Sequence, residues 1–199
     1  WALDLGSDNY NLPGYFGKQR FSYWRLKSES HNVPLIDGRG QLVKGEAPIT
    51  ECQDGKVVID LTTAYADRAN QVLRTVELTD NRTSVLITDR FGLKAPAEIA
   101  WGMTTDAEIA IAPDGSAMLT RNGQRLQASI VEPQGGRFVA EAPPPNPEPY
   151  RPKNLPGRVE EFRSNAGYQR LVAKVAAPQG KSSIIVRLVP LSPKQPQPR

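Results

Sequence analysis

The residues best suited to chemistry crowd into the first third of the chain: Asp4, Tyr10, Tyr15, Tyr23, Arg25, Glu29 and the only histidine, His31. Aromatic rings offer stacking faces for sugars, and tyrosine hydroxyls can serve as acids or bases. Arg25 has the planar fork that meets a carboxylate in a bidentate pair. A lone histidine is a general base, a metal ligand or a structural hydrogen-bonder. Glu29, two residues before it, is a candidate to orient its ring. Each residue also has a plainer reading. The tyrosines fit ordinary core or edge packing, Arg25 a strand surface, and Asp4 a turn opened by Gly6.

Familiar catalytic patterns are missing. There is no GxSxG, HExxH or phosphate loop. The single cysteine, Cys52, excludes an internal disulfide, a cysteine-rich zinc site and a CxxC redox pair. A lone thiol of this kind is more often a buried small hydrophobe than a nucleophile. The net charge of +4 is small, and its cations are scattered, so nucleic acid is not the expected partner. No apolar run approaches the roughly 20 residues of a membrane-spanning helix, and no membrane partner is expected. No leader segment is visible. The chain opens at Trp1 directly into an apolar pattern, which reads as a piece of something longer.

The elements that must position these groups are strands. Short runs rich in β-branched residues recur between turn dipeptides. Candidate strands are Phe21–Leu26, Val33–Ile36, Lys56–Leu61, Val72–Leu78, Ser84–Thr88, Ala97–Trp101 and Glu108–Ile111. Further along come Ala117–Thr120, Arg125–Val131, Arg137–Glu141, Glu160–Arg163, Arg170–Val175 and Ser182–Val189. Asn122-Gly123 predicts a two-residue hairpin, because both positions tolerate positive φ. Asp37-Gly38, Asp54-Gly55 and Asp114-Gly115 predict turns for the same reason. Residues 62–70 predict a short helical turn with Asp60 as its cap. Residues 142–156 (APPPNPEPYRPKNLP) lack the donors a ladder needs and predict a long, extended proline-rich loop. So many strands, with runs such as Ile184-Ile185-Val186 buried on both faces, require two layers. The predicted fold is all-β: a two-layer antiparallel β-sandwich forming one domain over residues 1–190, followed by a disordered tail at 191–199.

Four stretches of sequence resemble a known family. They are W-x-x-D-L-G-x-D-x-Y from Trp1 to Tyr10, and Y-[YW]-R-x-x-x-E-x-H-N-x-x-x-[IV]-D-G from Tyr23 to Gly38. V-x-D-L-T-x-A-Y follows at Val58–Tyr65, and R-T-V-x-L at Arg74–Leu78. Together they resemble the second domain of heparinase II/III-like polysaccharide lyases, alginate-lyase relatives included.

The resemblance implies a β-sandwich that cleaves nothing by itself. Such lyases act on uronate-containing acidic polysaccharides by β-elimination, with the main base and acid in a preceding α-helical toroid. The sandwich lends one wall of the cleft and a metal site, usually zinc. Asp4 and His31 fall on ligand positions of that site. A further histidine ligand lies in an H-x-H-x-D-like segment before the D-L-G strand. Asp4 and His31 therefore supply at most two of three protein ligands, and the chain alone is expected to bind zinc weakly or not at all. Tyr10, Tyr15, Tyr23 and Arg25 are the candidate substrate-binding residues. The implied partners are the acidic polysaccharide and the toroid, and the implied location is periplasmic or secreted. Rival readings are a stand-alone carbohydrate-binding module and a purely structural domain.

Overall fold

The turns predicted from Asx-Gly pairs set the strand order. The computed structural model describes residues 1–191, with twelve strands among them. They are β1 (Leu35–Ile36), β2 (Ile49–Gln53), β3 (Lys56–Asp60), β4 (Ala69–Thr79), β5 (Ser84–Leu93) and β6 (Ala97–Thr105). After them come β7 (Glu108–Ile111), β8 (Ala117–Arg121), β9 (Gln124–Glu132), β10 (Phe138–Glu141), β11 (Gln169–Ala177) and β12 (Gly180–Leu191). Asn122 and Gly123 both have positive φ, at 50° and 74°, and close the β8–β9 hairpin with Arg121 opposite Gln124.

The strands form two antiparallel sheets, ordered β1-β6-β11-β10 and β2-β3-β4-β5-β12-β9-β8-β7. The predicted two-layer sandwich is thus the observed fold. Their inner faces enclose one core. Ile99, Trp101, Met103, Phe138 and Leu171 come from the smaller sheet, and Val72, Phe91, Leu119, Ile184 and Val186 from the larger. Fully burying one such aliphatic or aromatic side chain contributes about 1.5–3 kcal/mol. The alternation Ile184, Val186, Leu188 places every second residue of the middle of β12 in this core.

Residues 62–70 form only a 3-10 turn, Thr62–Tyr65, before β4 begins at Ala69. The Asp60 carboxylate opens it by accepting the Thr62 N–H at 2.8 Å. Residues 142–149 carry no strand, as their prolines require.

Several expectations fail for physical reasons. Phe21–Leu26 is not a strand but part of three successive 3-10 turns, Arg20–Ser22, Trp24–Leu26 and Ser28–Ser30. Glu160–Arg163 makes only an isolated bridge, Glu160 to Tyr150, because side chains occupy the backbone groups that follow: Asn9 donates to the Glu161 carbonyl, Asn146 to that of Arg163, and the Arg163 N–H donates to Asp8. Of Val33–Ile36 only Leu35–Ile36 pairs. Strand β2 was not anticipated, and Cys52, on this sheet-edge strand, is exposed rather than buried. β12 runs on through Pro190 to Leu191, opposite Leu126 and Arg125. The rest of the expected tail lies outside the described residues.

Candidate functional site

Asp4 divides its carboxylate between two tasks. Oδ1 accepts the Gly6 N–H at 2.7 Å, closing a turn in which Gly6 takes φ of 65°. Oδ2 stands 2.8 Å from Nδ1 of His31. An ionised carboxylate only accepts, so Nδ1 carries the proton and Nε2 is the free nitrogen. Both side chains are partly exposed.

Asn32 explains how residues so distant in sequence meet. Its amide nitrogen donates to the Leu3 carbonyl at 3.1 Å, and its amide oxygen accepts the Thr104 N–H at 2.7 Å. The Leu3 N–H in turn donates to the Thr104 carbonyl at 2.9 Å. The side chain thus stitches the N-terminal segment to the end of β6. Thr104 also donates its hydroxyl to the Ser30 carbonyl at 2.7 Å, and Arg74 donates to the Asn32 carbonyl. Arg74 itself forms a buried ion pair with Asp89. Burial opposes its charge, but the facing Asp89 carboxylate wins and holds the guanidinium above its ordinary value.

The loop after His31 is fixed with equal care. Tyr65, fully buried, donates its hydroxyl to the Pro34 carbonyl at 2.5 Å. Its burial raises the phenol well above the ordinary range. Arg68 donates to the carbonyls of Ile36, Arg39 and Gly40. Gly40 and Gly45 are close approaches: a Cβ would come within 2.2 Å of Ser28 Cβ at the first and 2.4 Å of Ala64 Cα at the second.

A cavity of about 470 Å³ opens between these segments. His31, Phe21, Lys27 and Glu29 line it from one side, and Gln41, Leu42 and Val43 from the other. Glu29 makes no hydrogen bond to His31 among the described residues; Asp4 holds the ring instead.

The candidate tyrosines share one aromatic layer. Tyr15 stacks on Tyr23 with centroids 6.0 Å apart, and Tyr10 and Phe16 tilt against Tyr15 at 5.2 and 5.1 Å. Tyr10 is 57% exposed, but Tyr15 is only 2% exposed, its hydroxyl accepting the Asp8 N–H. Tyr23 is half-buried and donates to the Pro13 carbonyl. Burial first, then the charge of Asp8, raises its phenol above the ordinary value. Arg25 is buried and donates to the Leu5 and Ser164 carbonyls and to the Asn165 side chain. Arg25 thereby ties the front segment to residues 164–165, while Tyr15 packs within the front segment itself. The exposed aromatic faces are Tyr10, Phe16 and Phe21. Arg20 bridges the aromatic layer to Phe21, its guanidinium 5.2 Å from the Tyr15 centroid and 5.9 Å from that of Phe21.

The structure therefore joins Asp4 to His31, and the tyrosines to each other. Asn32, Phe21 and Lys27 are the residues that sequence reasoning missed. Asn32 had a signal, its place beside His31, but its donor-and-acceptor clamp depends on β6. Asp4 and His31 offer oxygen and nitrogen donors of the kind zinc takes, but among the described residues no group of three or more acidic, histidine or cysteine side chains stands ready to hold a metal. The donor set fits half of such a site.

The sequence model described as "Heparinase II/III-like, C-terminal" matches residues 1–184. No curated protein matches. Among solved structures, a mutant of the heparan sulfate lyase HepC from Pedobacter heparinus superposes with a TM-score of 0.66 at 12% identity, over 98% of this chain and 29% of its own. A heparinase III, the BT4657 gene product, superposes at 0.62 with 17% identity, over 94% of this chain and 28% of its own. The chain thus spans under a third of the length of these proteins, and at such identities the likeness shows the fold alone. With the motifs of its first third and a domain match over nearly its whole length, the chain belongs to the heparinase II/III-like family, to whose C-terminal domain it corresponds.

Proposed function

We propose that this chain forms the sandwich wall of a cleft in which uronate-containing acidic polysaccharide is cleaved by β-elimination. The observation that carries the reading is the Asp4–His31 pair, 2.8 Å apart, with His31 lining a cavity beside Phe21 and Lys27. In β-elimination, a base removes the proton next to the uronate carboxylate, negative charge develops there, and the carbon–oxygen bond to the leaving sugar breaks as the double bond forms, an acid protonating the leaving oxygen. Groups aimed at that charge contribute most to the rate. On this wall, with no metal bound, Asp4 holds the His31 ring in one tautomer and leaves Nε2 as the nitrogen free to hydrogen-bond the sugar. Lys27 supplies positive charge to the same cavity, and Phe21 an apolar face for a sugar ring. The principal base and acid belong to a helical toroid preceding the sandwich, and the chain alone gives no turnover.

Asp4 and His31 would hold zinc together with a donor from outside these residues. Bound there, zinc would add fixed positive charge to the wall and lock the two side chains together. The polysaccharide setting implies a periplasmic or secreted protein. The test is absorbance of the unsaturated uronate product over a panel of uronate polysaccharides, comparing this chain with the protein that carries the toroid as well. Turnover by the chain alone, copurifying with it through independent preparations, overturns the divided-cleft reading.

The exposed faces of Tyr10, Phe16 and Phe21 favour a second reading, a carbohydrate-binding module. It requires oligosaccharide affinity in the chain alone that falls when Phe16 and Phe21 are replaced by alanine.

A further inference from the structure

Arg170 lies on β11 opposite Thr104 of β6 and Glu141 of β10. It is 7% exposed. Its guanidinium lies over Gly102, where a Cβ would come within 2.1 Å of Nη2. Glycine at 102 is what lets the cation lie flat on the sheet.

The described residues leave this cation almost without partners. Its one hydrogen bond runs from Nη2 to the His31 carbonyl at 3.5 Å, the outer limit of such contacts, and Nε has none. The other buried arginines differ. Arg25, Arg68 and Arg74 each donate to at least two acceptors with good geometry. Arg170 has no such set of partners. A buried guanidinium in this condition stands ready for an anion.

Arg170 lines a cavity of about 270 Å³ with Trp24, Glu29, Glu98, Glu141 and Lys174. Lys174 and Glu141 neutralise each other at 3.1 Å. Glu29 and Glu98 are left facing the same space as Arg170. A bare inorganic anion would satisfy Arg170 but meet repulsion from both acids. A neutral sugar would donate hydroxyls to the acids but leave Arg170 unpaired. A hydroxyl-rich carboxylic acid answers all three groups. The volume, just under the roughly 300 Å³ at which small-molecule sites begin, suits one sugar unit.

We propose that this cavity binds a single hexuronate unit. Its carboxylate pairs with Arg170, its hydroxyls donate to Glu29 and Glu98, and its ring packs on Trp24. The inference rests on the acidic-polysaccharide reading above. It gives that polymer a second foothold, joined to the His31 cavity through Glu29, which lines both.

The test is a titration of the ¹⁵N-labelled chain with glucuronate, glucose and sulfate at constant ionic strength, following the Arg170 Nε–H resonance. Assignment comes from Arg170→Lys, which lacks that signal. The expected result is a saturable shift with glucuronate, none with glucose, and sulfate weaker by about tenfold or more. Arg170→Gln removes glucuronate-induced shifts at the Trp24 indole. Glu29→Gln/Glu98→Gln, which keeps the arginine, weakens glucuronate and strengthens sulfate. Absence of a saturable shift, equal response to sulfate, or Trp24 shifts that persist in a folded Arg170→Gln variant overturns the proposal. Uronate binding here without lyase activity in the toroid-bearing protein would sink the lyase reading and leave the subsite. Lyase activity without this shift would do the reverse.

Discussion

Arg74 and Asp89 face each other across β4 and β5 and share two hydrogen bonds of 2.7 Å, while the third arm of Arg74 donates to the Asn32 carbonyl. Asp89 is fully buried and Arg74 nearly so. An ion pair in the interior thus ends at the residue next to His31. Removing one partner leaves the other charge uncompensated. Asp89→Asn is expected to lower stability by about 3–5 kcal/mol in urea unfolding. Replacing both with apolar residues, Arg74→Met/Asp89→Leu, costs less than either single change. It still loosens the His31 segment, because the Asn32 carbonyl loses its donor.

Asn32 must both donate and accept, since Leu3 offers a carbonyl and Thr104 an N–H. Asn32→Ala is expected to cost about 2 kcal/mol, for two hydrogen bonds. Asn32→Asp is no better, because its oxygen would face the Leu3 carbonyl. Thermal unfolding compares the two. An aspartate variant as stable as the native chain contradicts the clamp.

Asp4 fixes the His31 tautomer and supplies one of two metal donors. In Asp4→Asn, imidazole ¹⁵N shifts are expected to show the Nε2–H tautomer gaining population. Zinc titrated calorimetrically into the chain is expected to bind more weakly than about micromolar, well short of the roughly 10 kcal/mol of complete structural sites. His31→Ala removes what binding there is. Tight one-to-one binding by the chain would contradict the half-site.

Acid should loosen the front segment through Glu160. Hydrogen bonds from Asn9, then Arg158 and Asn11, hold its carboxyl below the ordinary value of 4.5, against the effect of burial. A depressed folded value means the contribution is complete above about pH 4.5, the unfolded value, and is lost as pH falls through the folded one. Melting temperature should therefore drop below that pH, and Glu160→Gln should flatten this part of the profile. Equal acid sensitivity in both proteins would remove Glu160 from the explanation.

What sequence could reveal follows from how local each cause is. The Asn122-Gly123 hairpin was legible because positive φ is a property of those two residues. Asp60 was legible as the acceptor that opens the turn because it serves Thr62, two residues away, though Leu61 and not Asp60 holds the cap position. Phe21–Leu26 misled because its three aromatic residues, which favour strands, imitate one. What bends it into 3-10 turns includes the Arg25 guanidinium, whose partner Asn165 lies 140 positions on. Burial of Arg25 was illegible for the same reason. β2 had a local signal that went unused: a turn at Asp54-Gly55 before β3 calls for a strand ahead of it. Asp4 and His31 were linked by motif, while their contact depends on Asn32 and β6.

The most direct test of the divided cleft is ultraviolet absorbance of the unsaturated uronate, followed over uronate polysaccharides with the toroid-bearing protein, with this chain alone, and with Asp4→Ala and His31→Ala in the longer protein. The account predicts product from the longer protein, none from the chain, and a loss of roughly tenfold or more for both Asp4→Ala and His31→Ala, the scale of disturbing the residues that support a metal site. Undiminished turnover in both variants would contradict the assignment of this wall to the reaction.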